Sequence, residues 1–286
     1  MRLLDGKALA ATITERLADE IEAFKAAHAV VPGLAVVLVG DDPASHAYVK
    51  MKESACKRAG VYSVVHKFPE DTPHDRIRQT VEMINDNPNL HGLLVQLPLP
   101  GHMDTLDLID RIAPSKDVDG FHPFNFGKLF AGLETFAPCT PLGVMRLLEE
   151  YDIDPKGKDA VVVGASNIVG KPMAALLLNA GATVDICHIF TRDLAEHTQK
   201  ADIVLVGVGK PGLITADMIR EGAVVIDIGI NRLEDGRLVG DVDYEAVAPK
   251  CSAITPVPGG VGPMTIAMLL QNTLAAARNF VTKPDA

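Results

Sequence analysis

With 286 residues, 48% of them hydrophobic and 22% charged, the chain has the composition of an ordinary soluble protein of about two domains. A formal charge of −10 at pH 7 excludes nucleic acid and anionic membrane as principal partners, since both demand a basic face. Asp5, Lys7, Glu15 and Arg16 break up the N-terminal stretch and every apolar run is strand-sized, so a cytoplasmic protein with no leader and no membrane span is expected.

Taken from the N-terminus, Leu9, Ile13, Leu17, Ile21 and Phe24 recur at spacings of four and three, which predicts a helix with one apolar stripe and Asp5 as its N-cap. Strands are predicted over 34–39, 63–68 and 92–97, with helices over 45–59 and 75–85 between them. Near-continuous apolar strands alternating with helices mean a parallel sheet covered on both faces. The segment 114–141 is rich in Pro, Gly, Phe and Asp and reads as one long functional loop. A second series follows Pro141, with a helix to Tyr151 and strands over 160–163, 183–187, 203–206 and 224–228. Three prolines and three glycines then crowd the run ITPVPGGVGPMT, residues 254–265, which predicts a shaped loop ahead of an apolar helix over 264–276.

The expected fold class is α/β, with two α/β domains and a cleft between them. The first covers 1–139 and is completed by a C-terminal helix over 263–286; the second is a Rossmann-like dinucleotide-binding domain over 140–262. Cys56, Cys139, Cys187 and Cys251 lie far apart with no Cys-x-x-Cys pair, so neither a disulfide framework nor a zinc site is indicated and no metal is expected.

Gly164 and Gly170 bracket the turn between the strand AVVVG and the next helix. A helix start of this kind offers amides and the positive end of its dipole to a diphosphate, although a plain βα turn reads the same way. Gly207, Gly209, Asp227 and Gly229 fall at the following strand ends, where open α/β sheets bind ligands. The end of the second strand reads Cys187, His188, Ile189, Phe190, Thr191, Arg192. The acidic residue that holds a ribose 2′-hydroxyl is missing there, which permits a 2′-phosphate with Arg192 as the nearest permanent cation. His188 is either a hydrogen-bonding neighbour of that group or a plain strand-end histidine.

In the first series Ser45, Tyr48 and Lys52 share one helix face, while Lys50 lies about 200° round from Tyr48. An amphipathic helix with a snorkelling lysine would look the same. Gln96, followed by Leu97, ends an apolar strand at the same sheet edge. Asp117 and Asp119 in KDVDG serve either as turn caps or as an Asp-x-Asp metal pair, and no further ligand completes a metal shell. A carboxylate beside Phe121 and Pro123 suits two hydrogen bonds from an amino-substituted heterocycle, a pterin-like or purine-like ligand. In the Pro/Gly run, Pro258, Gly259 and Gly260 would let backbone approach such a flat ligand.

YVKMK, VQLPLP, KDVDGFHP, PCTP, GASNIVGKPM, GDV and ITPVPGGVGPMT stand in one order between about Leu4 and Phe280. Together they resemble the bifunctional methylenetetrahydrofolate dehydrogenase/methenyltetrahydrofolate cyclohydrolase family, of the bacterial FolD type. The resemblance implies NADP-dependent oxidation of 5,10-methylene-tetrahydrofolate followed by hydrolysis to 10-formyl-tetrahydrofolate. It also implies a homodimer through the dinucleotide-binding domain. By motif it makes Lys52, Tyr48, Gln96 and Asp119 the catalytic and folate-binding set. Cofactor contact is carried over onto Thr140, Gly164, Ala165, Ser166, Ile168, Ile230 and Thr265. Ile189 stands where many relatives carry a serine or arginine on the 2′-phosphate, so NAD use stays open beside NADP. Two rivals are another two-domain dehydrogenase, of the shikimate type, and a nucleotide-binding module without chemistry. The first would want an Arg or Lys clamp for a carboxylate; Lys52, Gln96 and Asp119 together speak against the second.

Overall fold

The structure is a computed structural model and describes residues 1–282; the last four positions of the helix expected over 263–286 lie outside the described residues. The first half contains β1 (Arg2–Leu3), α1 (Gly6–His28), β2 (Gly33–Val39), α2 (Pro43–Ala59), β3 (Tyr62–Phe68), α3 (His74–Asn85), β4 (Gly92–Val95), α4 (Thr105–Asp110) and α5 (Pro123–Phe130). Next come α6 (Cys139–Glu150), β5 (Asp159–Val163), α7 (Gly170–Asn179), β6 (Thr183–Cys187), α8 (Leu194–Thr198), β7 (Ile203–Val206) and β8 (Val224–Asp227). The chain closes with β9 (Asn231–Arg232), β10 (Leu238–Val239), α9 (Tyr244–Val247), β11 (Ala253–Ile254) and α10 (Val261–Thr282). It divides into two compact units.

One unit comprises residues 11–128, 134–139 and the chain from 266 onward. Its sheet has three parallel strands in the order β3-β2-β4. GLAVVLV forms the central strand because every residue is buried, as a strand covered on both faces requires. Ala35, Val37 and Val39 point to one face, where Ile77, Val81 and Ile84 of α3 meet them at helical spacing. Asp42 caps α2 by accepting from the Ser45 amide at 2.7 Å, Pro43 occupies the first turn, and Gly60 ends the helix at φ 78°.

The other unit comprises residues 1–10, 129–133 and 140–265. Its sheet is six-stranded and parallel, in the order β1-β11-β8-β7-β5-β6. Strand order reverses between β5 and β7, which is the point where such sheets open a ligand crevice. A Cβ on Gly164, just past β5, would come within 2.6 Å of the Gly207 carbonyl just past β7, so the two strand ends touch at that reversal. The predicted cap of α1 is present: Asp5 accepts from the Ala8 amide at 2.9 Å.

Several boundaries depart from the sequence reading. The segment 114–141 is not one loop, because it carries α5 and the start of α6; His122 Nδ1 accepts from the Phe124 amide at 3.0 Å and so supplies the helix start that composition hid. The Pro/Gly run is loop only over 255–260. Ile254 belongs to β11, and α10 begins at Val261, three residues before Met264, because a proline at position 263 is tolerated in a first turn whose amides need no partner. The strand predicted over 92–97 stops at Val95, with one last rung from the Gln96 amide to the Val37 carbonyl at 2.8 Å. The strand predicted over 224–228 likewise ends one residue early, at Asp227.

Candidate active site

Helix α2 brings Ser45, Tyr48 and Lys52 onto one face, and Lys50 is exposed on the other. Lys52 is 6% exposed, and its Nζ donates to Gln96 Oε1 at 3.0 Å. Gln96 Nε2 in turn donates to the Leu97 carbonyl at 2.7 Å, so both ends of the amide are engaged and its orientation is set. A buried lysine has therefore been joined to the residue that follows β4. Burial raises the Tyr48 pKa, which keeps the phenol protonated at neutral pH. Ser45 is buried at the start of α2, beside the Asp42 carboxylate that caps the helix.

The KDVDG turn runs beside β4, tied to it by the Leu93 amide on the Lys116 carbonyl at 2.8 Å. Lys116 Nζ donates to the carbonyls of Ile84, Asn85 and Asn87, which anchors the turn to the end of α3. The two aspartates have separate fates. Asp117 is buried and accepts from the amides of Gly120, Phe121 and His122 and from Asn125 Nδ2, at 2.8–3.1 Å. It is the cap of the turn, and burial raises its pKa against the pull of those donors. Asp119 takes none of these bonds and stays half-buried. Cys139, whose thiol burial pushes well above its ordinary pKa, feels both the Asp119 carboxylate and Lys52, so the three share one neighbourhood.

In the other unit the turn after β5 is built for close approach. Gly164 has φ 121°, a Cβ on Gly170 would collide with the Gly164 carbonyl, and Ser166 Oγ accepts from the amides of Val169 and Gly170 at 3.1 and 3.4 Å. Ser166 and Ile168 are left exposed on its crest, with Ala165 half-buried, which fits a diphosphate at the start of α7. Thr140 Oγ1 and Thr265 Oγ1 are 2.9 Å apart and bond to each other. Beyond β6, the His188 amide donates to Thr191 Oγ1 at 2.8 Å and His188 Nδ1 accepts from the Phe190 amide at 3.2 Å, closing a turn. Ile189 at its tip is 91% exposed, and Arg192 is exposed with no carboxylate partner among the described residues. Ile230 is exposed beyond β8. Pro258, Gly259 and Gly260 form the end of the shortened Pro/Gly loop, where Gly259 has φ 111° and its carbonyl accepts from the Lys7 amide at 2.8 Å.

Two carboxylates of this unit are structural. Asp241, in the GDV motif, accepts from the amides of Val208, Gly209 and Lys210 and so shapes the loop after β7. Asp227 accepts from the amides of Gly229, Asp241 and Val242, and burial pushes its pKa up to about 6. Asp227, expected at the ligand crevice, is thus a buried cap, and Asp241, which the sequence assigns no separate role, shapes the loop after β7. The Gly either side of each turn was the available signal, since a Cβ on Gly229 or Gly240 would collide with the carboxylates of Asp241 and Asp227 respectively.

Residues 4–119 match the catalytic domain of tetrahydrofolate dehydrogenase/cyclohydrolase, and residues 138–281 match the NAD(P)-binding domain of the same proteins. The chain belongs to the tetrahydrofolate dehydrogenase/cyclohydrolase family. Within it, the chain is 67% identical to the bifunctional protein FolD of Nautilia profundicola over 280 residues, which is 98% of each chain. Among solved structures, the bifunctional FolD dehydrogenase/cyclohydrolase of Campylobacter jejuni superposes with a TM-score of 0.96 at 54% identity, covering 98% of this chain and 99% of that one. The Trypanosoma brucei dehydrogenase-cyclohydrolase, solved with NADP cofactor and inhibitor, gives a TM-score of 0.93 at 36% identity over 97% of both chains. The shikimate dehydrogenase of Aquifex aeolicus, at 13% identity, 89% of this chain and 98% of that one, and a TM-score of 0.54, shares the fold alone, which leaves the shikimate-type rival without support. Among the described residues no helix is long and apolar enough to cross a membrane.

Proposed function

We propose that this member of the tetrahydrofolate dehydrogenase/cyclohydrolase family oxidises 5,10-methylene-tetrahydrofolate with NADP and hydrolyses the methenyl product to 10-formyl-tetrahydrofolate. The observation that carries the reading is the buried Lys52 donating to Gln96 beside a turn whose Asp119 is left out of the turn's own hydrogen bonds. Bound NADP supplies the acceptor for the hydride that leaves the bridging carbon. Orientation is then the main task of the protein, and Asp119 meets it by accepting hydrogen bonds from the pterin ring while Tyr48 and Leu97 border the ring. Ser45, on the same face of α2, offers its hydroxyl to the same substrate. In the hydrolytic step a water adds to the methenyl carbon, loses a proton, and the bond to one ring nitrogen opens as that nitrogen is protonated. Lys52, held by Gln96, is the group placed to move those protons.

The division proposed is a folate-binding part over 1–139, completed by the helix from 263, and a dinucleotide-binding part over 140–262, with residues 1–10 and 129–133 packing with the latter, the first of them through β1. In the latter, Gly164, Ala165, Ser166 and Ile168 meet the diphosphate, Thr140, Ile230 and Thr265 the nicotinamide side, and His188, Ile189 and Arg192 the 2′-phosphate. Pro258, Gly259 and Gly260 are assigned to the flat substrate, because glycine admits it without a Cβ in the way. The chain is proposed to act in the cytoplasm as a homodimer through the dinucleotide-binding part. The unpaired edge strand β6, with Ile186 42% exposed, supports such an interface. The deciding experiment follows methenyl-tetrahydrofolate by absorbance with NADP and then with NAD. Rise and decay of the methenyl species are expected with NADP; no turnover of the methylene substrate with either nucleotide would refute the reading.

Ile189 carries the prediction on cofactor choice, since a fully exposed apolar tip beside Arg192 makes poor use of a position next to a phosphate. Ile189→Arg should raise the NADP-to-NAD ratio of kcat/KM about tenfold, equivalent to ~1.4 kcal/mol of new phosphate contact. If the ratio stays put, Ile189 does not face the 2′-phosphate and Arg192 is the cation that does.

A further inference from the structure

A buried asparagine interrupts the apolar run of helix α10. Asn272 lies on α10 among Met268, Leu269, Leu270 and Leu274, and it is 5% exposed. A polar amide buried in such surroundings is unfavourable unless its donors are matched, and a leucine of similar size would serve helix packing better. The donors are matched by the backbone next to Asp119. Asn272 Nδ2 donates to the Val118 carbonyl at 2.9 Å and to the Ala137 carbonyl at 3.2 Å, with Cys139 Sγ at 3.7 Å. Cys139 Sγ donates to the same Val118 carbonyl at 3.3 Å.

These bonds act on the peptide that sets the direction of Asp119. The Val118 carbonyl belongs to the Val118–Asp119 peptide, so fixing it removes rotation of the unit from which the Asp119 side chain departs. The far side of the turn is fixed as well: Gly120 packs so closely on the second segment that a Cβ there would lie 2.5 Å from the Pro138 nitrogen. Asp117 holds the turn from inside. Asn272 ties the Val118 and Ala137 carbonyls through one amide, beside the weaker thiol bond that runs from Cys139 to Val118, and no bond within the turn replaces that link.

We propose that Asn272 is a positioning residue for substrate: by tying the Val118 and Ala137 carbonyls together it aims the Asp119 carboxylate at the pterin ring. The proposal rests on the reading of Asp119 as the ring's acceptor. Groups that meet a substrate must be held within fractions of an ångström by what surrounds them, so losing the tie is expressed in folate binding in both reactions.

The test measures KM and kcat of both activities, KM for NADP, and Tm in Asn272→Leu, Asp119→Ala, the double variant and Leu274→Ala. Leu274 is buried on the same helix and controls for loss of stability. Asn272→Leu should raise the folate KM about tenfold in both reactions, leave the NADP KM unchanged, and add almost nothing in the Asp119→Ala background, because both changes remove one interaction. Three results overturn the proposal: an unchanged folate KM in Asn272→Leu with only Tm lowered; effects of the two substitutions that multiply; or an equal rise in folate KM in Leu274→Ala at similar Tm loss. If Asp119→Ala raises the folate KM and Asn272→Leu does not, the positioning role alone falls. If Asp119→Ala changes nothing, the reading of Asp119 falls and takes the proposal with it. Should Asn272→Leu not fold, Asn272→Ser keeps one donor without added bulk, and the same separation of folate from NADP KM is expected.

Discussion

Lys52→Met should hydrolyse methenyl-tetrahydrofolate roughly 10²–10⁴-fold more slowly than the unaltered protein, the range contributed by a positioned acid or base, while keeping measurable dehydrogenase activity. The two reactions differ in their demand for protons. Hydride transfer takes no proton from the reacting carbon and depends on distance and stacking, whereas water addition and ring opening each move one. Lys52 is the side chain built to do so: it is 6% exposed, and its Nζ is held at 3.0 Å from Gln96 Oε1. Methionine keeps the length and apolar stem of lysine and removes only the amine. Lys50→Met, on the exposed side of α2, should leave both activities near those of the unaltered protein and is the geometric control. The measurement follows methenyl formation and decay separately in each variant. Hydrolysis at the unaltered rate in Lys52→Met, or a crippled Lys50→Met, would place the proton carrier elsewhere.

Much of this arrangement is legible in the residues themselves. GLAVVLV announces a central strand because every side chain is apolar, and the stripe from Leu9 to Phe24 announces a helix because its spacing fits no strand. Gly164 and Gly170 announce a tight turn, and both prove to be places where a Cβ would strike backbone. The two-residue strands β1 and β11 are invisible at that level, since two residues carry no period; β1 is recognisable only through its rungs on β11. Helix α5 is hidden for a different reason: its start is capped by a histidine rather than by Ser, Thr, Asp or Asn, inside a stretch rich in Pro and Gly. Composition likewise cannot separate Asp117 from Asp119. Two residues apart in one motif, they differ only in where the amides of 120–122 point, and that is a property of the folded turn. The pairing of Lys52 with Gln96 joins positions 44 residues apart through α2 and the end of β4, so the order of motifs implied it before any spacing could.

That difference between the two aspartates makes Asp119→Ala the second informative substitution. Asp117→Ala would strip four donors of their acceptor, the amides of Gly120, Phe121 and His122 and the Asn125 side chain, and is expected to lower stability whatever the substrate does. Asp119→Ala removes a carboxylate that caps none of the turn's amides, so Tm should fall far less than in Asp117→Ala. If its carboxylate accepts two charge-assisted hydrogen bonds from the pterin, their loss is worth about 2–4 kcal/mol, or roughly 30- to 1,000-fold in folate binding. Dehydrogenase and cyclohydrolase should decline together, because both bind the same ring, and the KM for NADP should not move. This joint loss separates Asp119 from Lys52, whose removal splits the two activities. Folate Michaelis constants and rates that stay at their original values in Asp119→Ala, with Tm unchanged, would leave the KDVDG turn as a structural motif only and return the search for the ring's acceptor to Gln96 and Ser45.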